Sequence, residues 1–254
     1  MTKTIHEIKE ELKLINDPDD PFLIHLKTDE RKGVQTALKQ WYKKHEAEQM
    51  LYQQYQKMNQ YENQARYHGY QWIAGIDEVG RGPLAGPVVS AAVMLDSDEM
   101  ILGLNDSKKL SLKKRNELFT EIKEKALAIG IGIVKASEID RLNILEASKL
   151  AMHEAITQLE KQPEALLVDA VKLDTTIPQM TIVKGDMKSN SIAAASIIAK
   201  VTRDEMMVEY DEQYPGYGFA NNAGYGTKEH LLGLQELGPT PIHRQSFSPV
   251  KKYL

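Results

Sequence analysis

The 254-residue chain contains no cysteine. That absence excludes disulfide bonds, thiolate nucleophiles and zinc sites built on sulfur, and it agrees with a reducing compartment. Seven histidines are scattered along the chain, and none forms a His-x-x-x-His pair. No run approaches the roughly 18 apolar residues of a membrane span, and the opening Met1-Thr2-Lys3-Thr4-Ile5-His6-Glu7 lacks the apolar core of a signal peptide. The expectation is a cytoplasmic protein without membrane contact. An excess of positive charge is missing too. With 32 basic against 36 acidic residues the net charge is −4, so the surface as a whole does not attract polyanions, and any nucleic-acid contact must come from a local basic patch. The Walker A pattern and internal repeats are likewise absent.

At 42% hydrophobic residues, the chain can bury one main core and still supply a smaller appendage. The composition divides it near Tyr70. Residues 1–70 hold many Gln, Tyr, Lys and Glu and few β-branched residues, which predicts a helical N-terminal extension. A helix near Ile5–Ile15 ends at the breaker Asp17-Pro18-Asp19-Asp20-Pro21. A second, opened by Thr28 with Asp29 and Glu30 in its first turn, runs into the mid-sixties. On it Lys39, Lys43 and Lys44, interleaved with Trp41 and Tyr42, admit two readings: a solvated basic face, or contacts to a nucleic-acid backbone.

Residues 71–254 have the texture of an α/β domain. Strands are predicted at Trp72–Ile76, Val88–Leu95, Ile129–Val134, Ala165–Val171 and Met180–Val183. Helices are predicted at Leu112–Leu127, Ile144–Glu160, Ser191–Tyr210 and Thr227–Leu237.

The densest signal is Asp77-Glu78-Val79-Gly80-Arg81-Gly82-Pro83-Leu84-Ala85-Gly86-Pro87. Two adjacent carboxylates, hard oxygen ligands of the kind Mg²⁺ and Mn²⁺ prefer, stand before a glycine turn whose bare backbone can approach a phosphate or sugar. A dinucleotide fingerprint would open a helix, whereas this loop leads into a β-rich run. Neighbouring side chains on a regular strand point to opposite faces, so either a bulge or strand end turns Glu78 toward the site or only Asp77 is a direct metal ligand.

Asp169 interrupts an apolar strand, where an ionised carboxylate needs a cation or hydrogen bonds. It is either a metal ligand or a loop-capping aspartate. On the alanine-rich helix, Lys200 and Asp204 share a face as an ion pair, or Asp204 is an acid delivered to the strand-borne carboxylates. Asp186, after Lys184-Gly185, competes with Asp204 for that place and ranks below it, because aspartate is common in tight turns. Tyr217 and Tyr225, each between glycines, are either packed or open to stack on a base or sugar.

Taken together, Asp77–Pro87, Asp106-Ser107-Lys108-Lys109-Leu110-Ser111, Leu167-Val168-Asp169, Lys184-Gly185-Asp186 and Ser191–Asp204, in this order and spacing, closely resemble the bacterial type 2 ribonucleases H, the ribonuclease HII family. The likeness covers roughly Trp72–Val250. The sibling ribonuclease HIII lacks this type of glycine loop. The resemblance implies a ribonuclease H-like fold, a mixed five-stranded sheet flanked by helices with a small helical C-terminal part. It also implies endonucleolytic hydrolysis of the RNA strand of RNA:DNA hybrids and of single ribonucleotides embedded in duplex DNA, a DNA-repair role in ribonucleotide removal, leaving a 5′-phosphate and a 3′-hydroxyl. Two Mn²⁺ or Mg²⁺ ions on Asp77, Glu78, Asp169 and Asp204 are implied, with Asp77 bridging. Gly80, Arg81 and Gly82 would sense the 2′-hydroxyl, Tyr225 would pack on the sugar at an RNA-to-DNA junction, and Lys108, Lys109, Lys200 and Arg244 would contact phosphates. The enzyme is expected to act as a monomer. The alternatives are a junction-resolvase-like DNA nuclease of the same two-metal class, against which the glycine loop argues, and a non-catalytic hybrid-binding module, which would not need an acidic cluster repelling phosphate.

Overall fold

The computed structural model describes residues 3–254, which form two compact units divided between Gln56 and Lys57. In the first unit, α1 (Ile5–Leu12) begins in a capping box, with Thr4 Oγ1 accepting from the Glu7 amide at 3.2 Å and the Glu7 carboxylate from the Thr4 amide at 2.7 Å. The Asp17–Pro21 breaker ends one helix and starts another. Asp20 caps α2 (Pro21–Leu26), which has proline at its first turn, a short helix where the sequence predicts no element. The next helix, α3, spans Lys32–Met58, so Thr28 and Asp29 lie before it. Ile8, Leu12, Leu23, Leu26, Val34 and Leu38 make the core of this unit, with Trp41 and Tyr42 packed on it. Lys39, Lys43 and Lys44 stay exposed, as both readings of this face require.

In the second unit the expected single long helix is replaced by a break at Asn59 and a separate α4 (Gln60–Tyr67). Then come β1 (Ile73–Val79), β2 (Val88–Leu95), α5 (Leu112–Lys125), β3 (Ala126–Val134), α6 (Ala136–Leu142) and α7 (Ile144–Thr157). These are followed by β4 (Ala165–Asp169), β5 (Gln179–Ile182), α8 (Asn190–Gln213), α9 (Phe219–Asn222), α10 (Lys228–Leu237) and α11 (Ser248–Lys251). The five strands form one sheet in the order β3-β2-β1-β4-β5. The first three are antiparallel neighbours, and β4 and β5 run parallel to β1. This is the mixed five-stranded sheet that the resemblance implied.

Helices cover both faces, which explains why β1, β2 and β4 are apolar almost throughout. Ile76, Ala92, Met94, Leu166 and Val168 share a core with Met152, Ala155 and Ile156 of α7. On the other face α8 lies against β1 and β2. Its alanines allow the approach, and Gly75 completes it, since a Cβ there would overlap the backbone of Ser191 and Ile192. Among the described residues no helix is long and apolar enough to cross a membrane.

Candidate active site

The carboxylates gather where β1 and β4 end side by side. Asp77 is only 7% exposed, and its carboxylate faces Ser196 of α8 and stands within electrostatic reach of Glu78 and Asp169. Burial, reinforced by those two acids, pushes its carboxyl well above the usual carboxylate range. Burial also raises Glu78, although Arg81 beside it pulls the other way, at 3.2 Å from its Oε1. Glu78 Oε2 is buried with no hydrogen-bond partner.

Of the two devices expected at Glu78, a bulge or a strand end, the structure has the strand end. Asp77, Glu78 and Val79 pair in unbroken register with Ala91, Ser90 and Val89, so the two side chains leave on opposite faces. They share a site because β1 ends here. Gly80, at φ +95°, turns the chain away in a conformation that suits only glycine, and a Cβ would collide with the Arg203 side chain and the Pro87 carbonyl.

Asp169 closes β4, and its Oδ1 accepts the Gly185 amide at 2.6 Å. That bond joins the end of β4 to the 3-10 turn Gly185–Met187 after β5 and brings Asp186 beside Asp169. The Asp186 carboxyl is raised by partial burial, then by Asp106 and Asp169, with Lys108 opposing. Asp204 lies elsewhere. Lys200 Nζ donates to its Oδ1 at 2.6 Å and Arg115 Nη1 to its Oδ2 at 3.3 Å, while Arg115 also binds the Ser107 and Leu110 carbonyls. Asp204 thus fastens the Asp106–Ser111 loop to α8, and the ion-pair alternative is the one the structure adopts. The acid next to Asp169 is Asp186. Its signal was present in the sequence, because Asp169 lies toward the end of one apolar strand and Asp186 shortly follows the next. Among the described residues no three or more His, Asp or Glu side chains stand together closely enough to hold a metal ion as they now lie. The donors are all hard carboxylates, one with a free buried oxygen, and this set fits Mg²⁺ or Mn²⁺.

Two buried arginines shape the glycine turn. Arg203 Nε donates to the Pro87 carbonyl at 2.9 Å, Nη1 to Ala223 at 2.8 Å and Nη2 to Ala85 at 3.1 Å. Arg244 reaches the carbonyls of Gly80 (2.5 Å), Arg81 (3.0 Å), Gly86 (2.9 Å) and Pro87 (3.3 Å). Burial depresses the two guanidiniums to about 10 and about 9, so both stay charged at neutral pH. Arg244 is fully buried with its donors committed to carbonyls, so it is not a phosphate contact. Lys200 is engaged by Asp204 in the same way. Lys108 and Lys109 remain exposed, Lys108 within electrostatic reach of Asp186 and Lys109 touching Met187. Since a trans peptide directs its C=O and N–H oppositely, turning the Gly80 and Arg81 carbonyls inward onto Arg244 turns the Arg81 and Gly82 amides outward.

Over that turn lies Tyr225, half-exposed at 46%. A Cβ on Gly82 would stand 3.3 Å from its ring. Tyr217 is the packed tyrosine of the two. It stacks on Phe219 at 5.1–5.2 Å from its ring neighbours Phe219 and His243 and donates to the Gly238 carbonyl at 2.6 Å.

The fold and the strand-end carboxylates define a nuclease of the ribonuclease H-like class. A family model described as ribonuclease HII matches residues 74–250, and one described as the ribonuclease HII N-terminal domain matches residues 4–66. The chain is 57% identical over 249 residues to a ribonuclease HII of Enterococcus faecalis, covering 98% of each. The ribonuclease H2 structure from Pyrococcus horikoshii superposes with a TM-score of 0.63 at 27% identity, covering 72% of this chain and 97% of that one. Bst-RNase HIII in complex with Mn²⁺ shares the fold, with a TM-score of 0.56 at 20% identity over 72% of this chain and 68% of that one. The chain belongs to the ribonuclease HII family and is a ribonuclease H.

Proposed function

We propose that the enzyme cuts the RNA strand of RNA:DNA hybrids and single ribonucleotides in duplex DNA, leaving a 5′-phosphate and a 3′-hydroxyl, with Mg²⁺ or Mn²⁺ held by Asp77, Glu78, Asp169 and Asp186. The observation that carries this reading is the juxtaposition of buried carboxylates with the outward-turned Arg81 and Gly82 amides. A carboxylate cluster that raises its own proton affinity is poised to take up cations, and Glu78 Oε2 has no other partner. Two bound ions would supply an activated water and shelter the leaving 3′-oxygen.

The chain's own groups do the rest. Asp77, central among the acids, would be a ligand of the metal site. The Gly80-Arg81-Gly82 backbone reads the 2′-hydroxyl, the one group that separates RNA from DNA locally, and bare glycine lets it come close. Tyr225 packs on the sugar that follows. Lys108 and Lys109 hold the phosphates.

The test compares a duplex carrying one ribonucleotide with an all-DNA duplex, with and without divalent metal. Metal-dependent cutting of the first alone is expected, and equal cutting of both, or of neither, would refute the reading. Asp169→Asn should abolish turnover while the circular dichroism spectrum is retained.

A further inference from the structure

The Gly224-Tyr225 segment is tied down from behind by two histidines that touch neither the carboxylates nor solvent. His230 of α10 is fully buried and His243 is 2% exposed. Their Nε2 atoms stand 2.9 Å apart. His243 Nδ1 meets the Thr240 amide at 2.8 Å and the Thr240 hydroxyl at 2.8 Å, while His230 Nδ1 lies 2.9 Å from the Tyr225 carbonyl.

These contacts allow one assignment of protons. A main-chain amide can only donate, so His243 Nδ1 is the acceptor and its proton sits on Nε2. That proton is donated to His230 Nε2, which must be bare, so His230 carries its proton on Nδ1 and donates it to the Tyr225 carbonyl. Every nitrogen is satisfied only when both rings are neutral. One more proton would set two N–H groups against each other across 2.9 Å.

We propose that His230 and His243 are positioning residues for ribonucleotide recognition: a relay of two neutral imidazoles that fixes Tyr225 over the Gly80-Arg81-Gly82 turn. The proposal rests on the reading of that turn and Tyr225 as the sensor of the ribose. The relay is anchored on the turn's own side. His243 forms a bridge with Ala85, the Gly86 amide donates to the Ile242 carbonyl at 2.8 Å, and the Arg244 amide donates to the Leu84 carbonyl at 2.8 Å. The Leu84 amide in turn donates to the Gly224 carbonyl at 2.8 Å. One short segment therefore fixes the turn and, through two rings, the tyrosine that covers it.

The groups facing the pair are Tyr217 and Phe219 against both rings, Thr240 beside His243, and the Tyr225 and Gly224 carbonyls beside His230. No carboxylate faces either ring to stabilise an imidazolium. Burial lowers His230 below the usual histidine range, and burial together with the neighbouring His230 ring takes His243 down to about 4. The relay is accordingly intact at neutral pH and is lost as pH falls toward about 4.

Two measurements on the full-length protein test it. Histidine ¹⁵N NMR at neutral pH should show His230 as the neutral Nδ1–H tautomer and His243 as the neutral Nε2–H tautomer; any other assignment overturns the relay whatever the substrate proves to be. The second measurement is the ratio of kcat/KM on a single-ribonucleotide duplex to kcat/KM on a continuous RNA:DNA hybrid. The fraction of folded enzyme and the titration of the shared carboxylates cancel in this ratio. His243→Phe should lower it about tenfold, mainly through KM, and His243→Gln, whose amide can donate from the former Nε2 position, should restore most of it. In the wild type the ratio should fall as the pH approaches about 4, and in His243→Gln it should stay flat. An unchanged ratio in His243→Phe, or no rescue by His243→Gln, overturns the proposal. Wild-type enzyme that ignores the ribonucleotide altogether refutes the substrate reading instead, and the tautomers still decide the relay.

Discussion

At the scale of single residues, the site depends on which groups already have partners. Asp204 has two cations, Lys200 and Arg115. Among the described residues Asp186 has none within ion-pair distance, and it sits against Asp169 and Asp106 with its carboxyl raised. A metal ligand must be free to turn to its ion, and a raised carboxyl marks a place where positive charge is wanted. Asp186→Asn should therefore lower kcat at least about a hundredfold, with an unchanged thermal midpoint or a slightly higher one as repulsion is relieved. Asp204→Asn should leave kcat within a few-fold and cost at most about 1 kcal/mol, because its pairs are partly solvated. Steady-state kinetics and thermal unfolding of the two variants decide between them, and the opposite pattern would return Asp204 to the metal site. Backbone strain points to the same places. Among the described residues, four non-glycine residues have positive φ, and three adjoin the site: Ala170 after Asp169, Lys184 before Gly185-Asp186, and Ala223 before Gly224-Tyr225. No pattern of residue types announces these, since alanine and lysine ordinarily avoid that conformation.

At the scale of elements, α8 carries most of the architecture on one side of the sheet, and its N-terminus is held by a side chain from far upstream. Glu62 of α4 is 3% exposed. Its Oε1 accepts the Ser189 hydroxyl at 2.6 Å, the Ser191 amide at 2.9 Å and the Ser191 hydroxyl at 2.7 Å. A carboxylate at this end of a helix meets unpaired amides and the positive end of the dipole. Glu62→Ala would leave one amide and two hydroxyls buried without that acceptor, and we expect a loss of about 2–3 kcal/mol, read as a lower denaturant midpoint with an unchanged slope. Glu62→Gln, keeping the carbonyl oxygen, should lose less. The five strands and the helices α5, α7, α8 and α10 were legible in the sequence to within a few residues, because apolar β-rich runs and 3.6-residue periodicity report burial directly, whereas the short helices α6, α9 and α11 were not. The pairing of Glu62 with Ser189 and Ser191 was not, since 127 or more residues separate the partners and each is an ordinary polar residue in its own segment. The Asp77–Pro87 motif was legible for the opposite reason, being contiguous, whereas the histidine relay and the two arginines behind it come together only through the fold. The ion pairs of Asp204 were only half legible, because helical spacing reveals the face it shares with Lys200 but not the Arg115 that reaches it from another element.

At the scale of the whole molecule, the composition boundary near Tyr70 and the structural division after Gln56 differ by one helix, and that helix is α4. Composition groups α4 with the preceding segment because its exposed residues are polar. Packing groups it with the sheet, because Ala65 shares a core with Ile73, Leu167, Ile182 and Ile192 and Glu62 caps α8. The two boundaries predict different consequences of truncation. A chain beginning at Lys57 keeps α4 and should unfold in one cooperative transition with ribonuclease activity retained. A chain beginning at Gln71 loses the Glu62 cap and the Ala65 contact together and exposes the apolar surface that α4 covers on β4. Its midpoint should drop by more than Glu62→Ala alone causes, since the lost burial adds to the lost hydrogen bonds. Chemical denaturation of the two truncated chains beside the full-length protein measures this. Equal stability of the two would mean that α4 contributes nothing to the sheet unit, and that the division belongs at Tyr70 after all.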